Sequence, residues 1–245
     1  MKFLAESHVG KVRQINEDAY DVKLLENGAL FVVCDGIGGE KAGEVASELA
    51  CSEIVKNFTA TYRPELEINT LKNLLISSVS RANIIVCETA RSDERYERMG
   101  CTVAAAFLRG DTLQVVHAGD SRVYAFDADG LRQVTTDHTV AQMLLEQGKI
   151  GAEDVESIPE KNIITRAVGI QMDINLEYTE EYLSDHAAVL LCTDGMYRYC
   201  TDEEIAEFIF QEDAAKKLVD LANERGGADN ITVLIGRCEE GDLNG

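Results

Sequence analysis

Ala29-Leu30-Phe31-Val32-Val33-Cys34-Asp35-Gly36-Ile37-Gly38-Gly39 is a six-residue apolar run that stops on an aspartate and a glycine-rich loop. Three more runs share this design. Residues 113–117 (LQVVH) pass through Ala118-Gly119 into Asp120, and residues 188–192 (AVLLC) pass through Thr193 into Asp194-Gly195. Asp229-Asn230 opens the fourth, 231–235 (ITVLI). Short runs rich in Val, Leu and Ile, bounded by Gly, Asp and Asn, read as buried strands. Three of the acids follow their strand and the fourth precedes its own, so antiparallel pairing predicts that all four gather at one sheet edge. Carboxylates gathered so closely repel strongly unless a cation lies among them. Ligands that are all hard oxygen, with no Cys or His at metal spacing, favour Mg²⁺ or Mn²⁺ over Zn²⁺. The pattern predicts a polynuclear metal site for phosphate chemistry. A single Asp-Gly after a strand is also a common turn. Repetition favours the site, as does a glycine loop whose missing side chains let backbone carbonyls approach a ligand.

The rest of the 245-residue chain contains only two prolines, Pro64 and Pro159, and no Ser/Gly/Pro-rich linker. One domain over 1–238 is expected, followed by a short, unstructured tail at 239–245. Lys and Arg number 23 against 44 Asp and Glu, a net charge of −21. So acidic a surface works against nucleic acid and anionic membranes, which need basic patches. The seven cysteines form no C-x-x-C, and Cys34 and Cys192 lie inside strand runs. Buried thiols in a reducing compartment explain them better than disulfides or zinc. The N-terminus (MKFLAESHVG) lacks a signal-peptide core and no run approaches a membrane span, so the expected location is the cytoplasm.

Helical periodicity appears over 40–58 and 69–91, between the first strand and a second group at 101–108 and 113–117. Two more helices are expected at 203–210, capped by Thr201 or Asp202, and at 213–225. Strands clustered apart from helices argue for antiparallel sheets with helices packed outside. Residues 139–147 fit a short helix, whereas 148–162 are charged, turn-rich and hold Pro159. A lid over a site and a plain surface excursion both fit that segment.

The order of the motifs resembles the metal-dependent Ser/Thr protein phosphatases of the PPM (type 2C) family, in their compact bacterial form. The matching stretches are Val9-Gly10-Lys11-Val12-Arg13-Gln14-Ile15-Asn16-Glu17-Asp18, Val33-Cys34-Asp35-Gly36-Ile37-Gly38-Gly39 and Gly43-Glu44-Val45-Ala46-Ser47. Then come Met99-Gly100-Cys101-Thr102, Gly119-Asp120-Ser121-Arg122 and Thr136-Asp137-His138. The last are Leu191-Cys192-Thr193-Asp194-Gly195 and Gly227-Ala228-Asp229-Asn230-Ile231-Thr232. The resemblance covers nearly the whole chain. It implies an α+β fold: two antiparallel sheets packed face to face, with helices on both outer faces, in four αββα layers. The segment near 139–165 would be a flap.

By that resemblance Asp35 bridges two Mn²⁺ or Mg²⁺ ions, the Gly36 carbonyl ligates one, and Asp194 and Asp229 complete the set. Glu17 and Asp18 hold metal-bound waters, and Asp120 with Asp194 matches the ligands of a third, weakly held ion. Arg13 matches the residue that grips the substrate phosphate; a surface ion pair with Glu17 is its alternative. The implied reaction is hydrolysis of phosphoserine and phosphothreonine by water activated between two cations about 3.5–4 Å apart. The implied partners are phosphoproteins, including a Ser/Thr kinase, met by a monomer. Two positions depart from the pattern. Ile37 stands where many members carry a histidine thought to protonate the leaving oxygen, which leaves a metal-bound water or, more remotely, His138. Cys101 replaces a usual Thr and should matter little. A phosphatase-fold binding module without catalysis, and a hydrolase of small phosphate esters, are the rival readings.

Overall fold

The computed structural model describes residues 1–38, 42–184 and 186–238. Gly39 of the glycine loop and the 239–245 tail lie outside the described residues.

The apolar runs are strands buried on both faces. In β3 (Gly28–Ile37), Ala29, Phe31 and Val33 point between two sheets, while Leu30, Val32 and Cys34 point at helices. Side chains alternate along a strand, so burial of both faces is what produces an unbroken apolar run. Strands β2 (Asp18–Leu25), β3, β5 (Val103–Arg109), β6 (Thr112–Ala118) and β9 (Glu177–Tyr182) form one antiparallel sheet in that order, with β4 (Gly100–Cys101) also paired to β3. The second antiparallel sheet runs β1 (Lys2–His8), β11 (Ile231–Arg237), β10 (Ala188–Cys192), β7 (Arg122–Asp127), β8 (Gly130–Gln133). Phe31, Val115, Val123, Leu191 and Leu234 fill the space between the sheets. Fully burying such a side chain stabilises by roughly 1.5–3 kcal/mol.

Helices α1 (Ala42–Thr61) and α2 (Ile68–Ser92) cover the first sheet. The α1 face that meets β3 carries Ala42, Ala46 and Ala50, small residues that allow a close approach. Helices α5 (Asp202–Phe208) and α6 (Ala214–Glu224) cover the second sheet. Thr201 caps α5 as expected: its hydroxyl accepts from the Glu204 amide, and the Glu204 carboxylate accepts from the Thr201 amide. The layers are thus helix, sheet, sheet, helix. A short α3 (Val140–Glu146) lies within the expected 139–147, and residues 152–157 form a 3₁₀ turn.

Two expectations need correction. The four strand-end acids do not share one sheet edge: Asp35 and Asp120 belong to the first sheet, Asp194 and Asp229 to the second. Face-to-face stacking brings the ends of both sheets together. The strand expected over 101–108 is also broken, because Thr102 leaves the ladder to bond Asp35.

Candidate metal centre

Asp18 and Asp35 are direct cross-strand partners at the end of the β2–β3 ladder. Asp120 follows β6, Asp194 starts the one-turn helix α4 (Asp194–Tyr197) just beyond β10, and Asp229 precedes β11. The five carboxyls feel one another. The Asp35 carboxyl is pushed well above the usual range, first by desolvation and then by the charges of Asp18, Asp194, Asp120 and Asp229. Desolvation raises Asp18 to about 7 against the hydrogen bonds it accepts, and raises Asp194 to about 6 against the pull of Arg198. Asp120 and Glu17 are also raised, burial being the main cause for each.

Hydroxyls of the neighbouring strands fix these acids. Asp18 Oδ2 accepts from Thr193 Oγ1 at 2.8 Å and Thr232 Oγ1 at 2.7 Å, so Asp18 ties one sheet to the other. The Asp35 amide donates to Thr102 Oγ1 at 2.9 Å, and that hydroxyl meets Ser121 Oγ at 2.6 Å. Asn230 anchors the loop that carries Arg13 and Glu17. Its Oδ1 accepts from the Glu17 amide at 2.8 Å, and its Nδ2 donates to Val9 O and Ile15 O. Sequence reasoning passed over Thr102, Thr193, Thr232 and Asn230 as supports. Their signal was position, each standing within three residues of a candidate acid or beside the strand that carries one.

Two glycines have steric reasons to be glycine. A Cβ on Gly36 would come within 2.4 Å of Gly43 O and 2.5 Å of Glu17 O. Gly119 adopts φ +105°, and its Cβ would meet Thr102 Cγ2 at 2.6 Å.

Arginines partly answer the acidic charge. Arg13 Nη2 bonds Asp229 Oδ2 at 2.9 Å, so its partner is a candidate metal ligand rather than Glu17. Arg198 Nη2 lies 2.6 Å from Asp194 Oδ2. The donor set still fits a divalent ion, because Asp18 Oδ1 is shut off from solvent and has no partner. A lone pair so enclosed beside Asp35, Asp194 and Asp229 is costly unless a cation, or a water held by one, takes it. Asp35, Asp194, Asp229 and the Gly36 carbonyl are the residues that could hold such ions, with Glu17, Asp18 and Asp120 around them.

A second group of potential ligands, His117, His138 and Glu177, has its atoms within 4.8 Å of one another. The two imidazoles stack, 4.4 Å between centroids and 8° between planes, so their in-plane lone pairs run parallel instead of converging. His138 is buried with both ring nitrogens engaged: Nδ1 accepts from the Gly119 amide, and Nε2 donates to Glu177 Oε2, which Arg166 also faces. That leaves it a structural clasp on the Asp120 loop. Ile37 lines a 310 Å³ cavity with Ile164, Ile170 and Ile174. Cys101 is buried, its thiol directed to Ala46 O.

The segment from 139 to 162 folds over the Asp120 side. Val140 N bonds Ile163 O at 2.8 Å and Thr139 bridges Ile164, so its two roots are tied together. Beneath it lies a cavity of about 510 Å³ walled by Asp120, Arg122, Asp137, Tyr197 and Arg198.

The sequence profile of the Protein phosphatase 2C family matches residues 6–229. The serine/threonine phosphatase stp of Listeria monocytogenes is 33% identical over 234 residues, 92% of this chain and 91% of its own. The crystal structure of the Mycobacterium tuberculosis serine/threonine phosphatase PstP/Ppp superposes with a TM-score of 0.85 at 31% identity, covering 98% of this chain and 99% of that one. For serine/threonine phosphatase Stp1 from Staphylococcus aureus the TM-score is 0.89 at 29% identity, over 98% and 95% of the two chains.

Proposed function

The chain belongs to the protein phosphatase 2C family and is a protein-serine/threonine phosphatase, and from that premise we propose how its acid cluster performs the reaction. Asp35, the Gly36 carbonyl, Asp194 and Asp229 would hold two divalent cations, Mn²⁺ or Mg²⁺, and Asp120 with Asp194 would offer a looser third position. Glu17 and Asp18 would orient waters bound to such ions. Bound there, the ions would neutralise phosphoryl oxygens and bring the pKa of a water toward neutrality. The observation that carries this reading is the enclosed, unpartnered Oδ1 of Asp18 beside the carboxyls of Asp35, Asp194 and Asp229.

The protein's own groups do the rest. Arg13 is half exposed on its loop and leaves Asp229 to grip two phosphate oxygens with its planar fork. The hydroxyls of Thr102, Thr193 and Thr232 hold Asp35 and Asp18 in place, so little reorganisation is needed when charge develops. Water takes the phosphoryl group directly, and the freed seryl or threonyl oxygen gains a proton from solvent inside the site, since Ile37 offers none. Residues 1–238 act as one catalytic domain, and the natural substrates are phosphoproteins, among them a Ser/Thr kinase that the enzyme opposes in the cytoplasm.

Hydrolysis of a phosphothreonine peptide and of an aryl phosphate, each with Mn²⁺ and with excess chelator, tests this. Both should be hydrolysed with Mn²⁺ and neither with chelator, the peptide with the higher kcat/KM. A peptide left untouched while the aryl phosphate turns over would make the chain a small-ester hydrolase.

A further inference from the structure

We propose that Arg198 is a tethered cation that guards the outer flank of the acid cluster, between Asp194 and Asp120, and sets how weakly a third divalent ion can bind there. The inference rests on the reading of Asp35, Asp194 and Asp229 as ligands of two tightly held ions.

Arg198 stands four residues after Asp194, a spacing that returns its side chain to the same helical face. Its Nη2 is 2.6 Å from Asp194 Oδ2. With Asp120 and Tyr197 it forms one wall of the 510 Å³ cavity under the 139–162 segment, which places it on the Asp120 side of the cluster. Asp120 is engaged too, its Oδ2 accepting from the Tyr197 hydroxyl at 3.3 Å. Tyr197 is held from behind, with the Arg122 guanidinium 3.6 Å from its ring centroid. Arg122 is itself fixed by a two-pronged bond to Asp137, at 2.9 and 2.7 Å. One oxygen of each candidate third-ion ligand therefore carries a donor already. The Arg198 charge also reaches Asp120, whose carboxyl it stabilises against burial and against Asp137.

A guanidinium stays charged at every pH the protein meets. A third divalent ion needs the same two carboxylates and meets a fixed positive charge at contact distance. The Arg198 side chain is 37% exposed, so water screens part of this repulsion, but both carboxylates it faces are buried and the remainder acts across the site. Arg13 differs. It holds Asp229 from a separate loop and is free to move to phosphate, whereas Arg198 is carried on the backbone of its own partner.

The test is titration of chelator-stripped protein with Mn²⁺ alone, reading free ion by its electron paramagnetic resonance signal, for wild type, Arg198→Ala and Arg198→Lys. The expected result is that Arg198→Ala binds its third Mn²⁺ about tenfold more tightly or better, the scale of one neighbouring unit charge, with the first two unchanged. Arg198→Lys, which keeps the charge, stays near wild type. Identical third-ion affinity in wild type and Arg198→Ala overturns the proposal, and so does loss of the first two ions, which would make Arg198 a support for Asp194 geometry. A residue serving only as a helix-end ion pair would cost thermal stability and leave manganese affinity unmoved. Wild-type protein that binds no Mn²⁺ would instead sink the two-ion reading. Should Arg198→Ala fail to fold, Arg198→Gln repeats the comparison with most of the stem retained.

Discussion

One oxygen of Asp18 accepts from two threonines and the other accepts from nothing, so the residue both joins the sheets and leaves a lone pair to spend on a ligand. Asp35 beside it is desolvated and surrounded by like charge. Without metal, these acids oppose folding. Asp35→Asn should therefore raise the melting temperature of chelated protein while lowering turnover by roughly 10³-fold or more, if Asp35 is the ligand shared by two ions as proposed. A variant that is both active and no more stable would contradict this. The pH dependence has a definite sign. A folded carboxyl raised to about 6 in Asp194 and about 7 in Asp18 binds protons more tightly than it does in the unfolded chain. Its stabilising effect is complete below the ordinary carboxylate range and is lost as pH rises through those values. His117 and His138, lowered by burial, pull the other way. Comparing wild type with Asp35→Asn cancels the histidines, so the melting-temperature advantage of the chelated variant should grow from pH 5 to pH 8. An advantage constant with pH would contradict it. For Arg13→Ala the Michaelis constant should rise several-fold with kcat little changed, because phosphate is gripped in ground and transition states alike; an unchanged constant would leave Arg13 as the partner of Asp229 alone.

Strands β3, β6, β10 and β11 were legible in the sequence because burial on both faces writes an unbroken apolar run. Strand β9, Glu-Tyr-Thr-Glu-Glu-Tyr, gave no such signal: it lies at a sheet edge with its side chains only partly covered. Strands β1 and β2 are edge strands of the same kind. Each acid could be read one at a time, but which sheet it belonged to could not, since that depends on pairings between strands 41 to 70 residues apart, such as Cys192 with Val233 and with Arg122. Hydroxyl supports such as Thr232 were hidden for the same reason: Asp18 lies 214 positions away. For the segment 148–162, whose roots are tied together above a cavity, a flap acting on substrate choice is the proposal to be tested against an inert excursion. Replacing it with a short glycine-serine linker should change the ratio of peptide to aryl phosphate turnover by a few-fold or more, and a constant ratio would make it inert.

Across the whole molecule, a net charge of −21 sits on a sandwich whose one end concentrates five carboxyls. Among the described residues the thiols of Cys34, Cys51, Cys87, Cys101, Cys192 and Cys200 are unbridged and buried, and no helix is long and apolar enough to cross a membrane. The core holds the two sheets in fixed relation, and that relation alone makes a single cluster from acids at positions 18, 35, 120, 194 and 229. The most direct measurement is the metal content of wild type and Asp35→Asn after equilibrium dialysis against micromolar Mn²⁺, read by plasma mass spectrometry. Wild type should retain about two ions per chain and Asp35→Asn at most one, as expected when a ligand shared by both ions is lost. Equal metal content in the two proteins would contradict the assignment of this cluster as the metal centre.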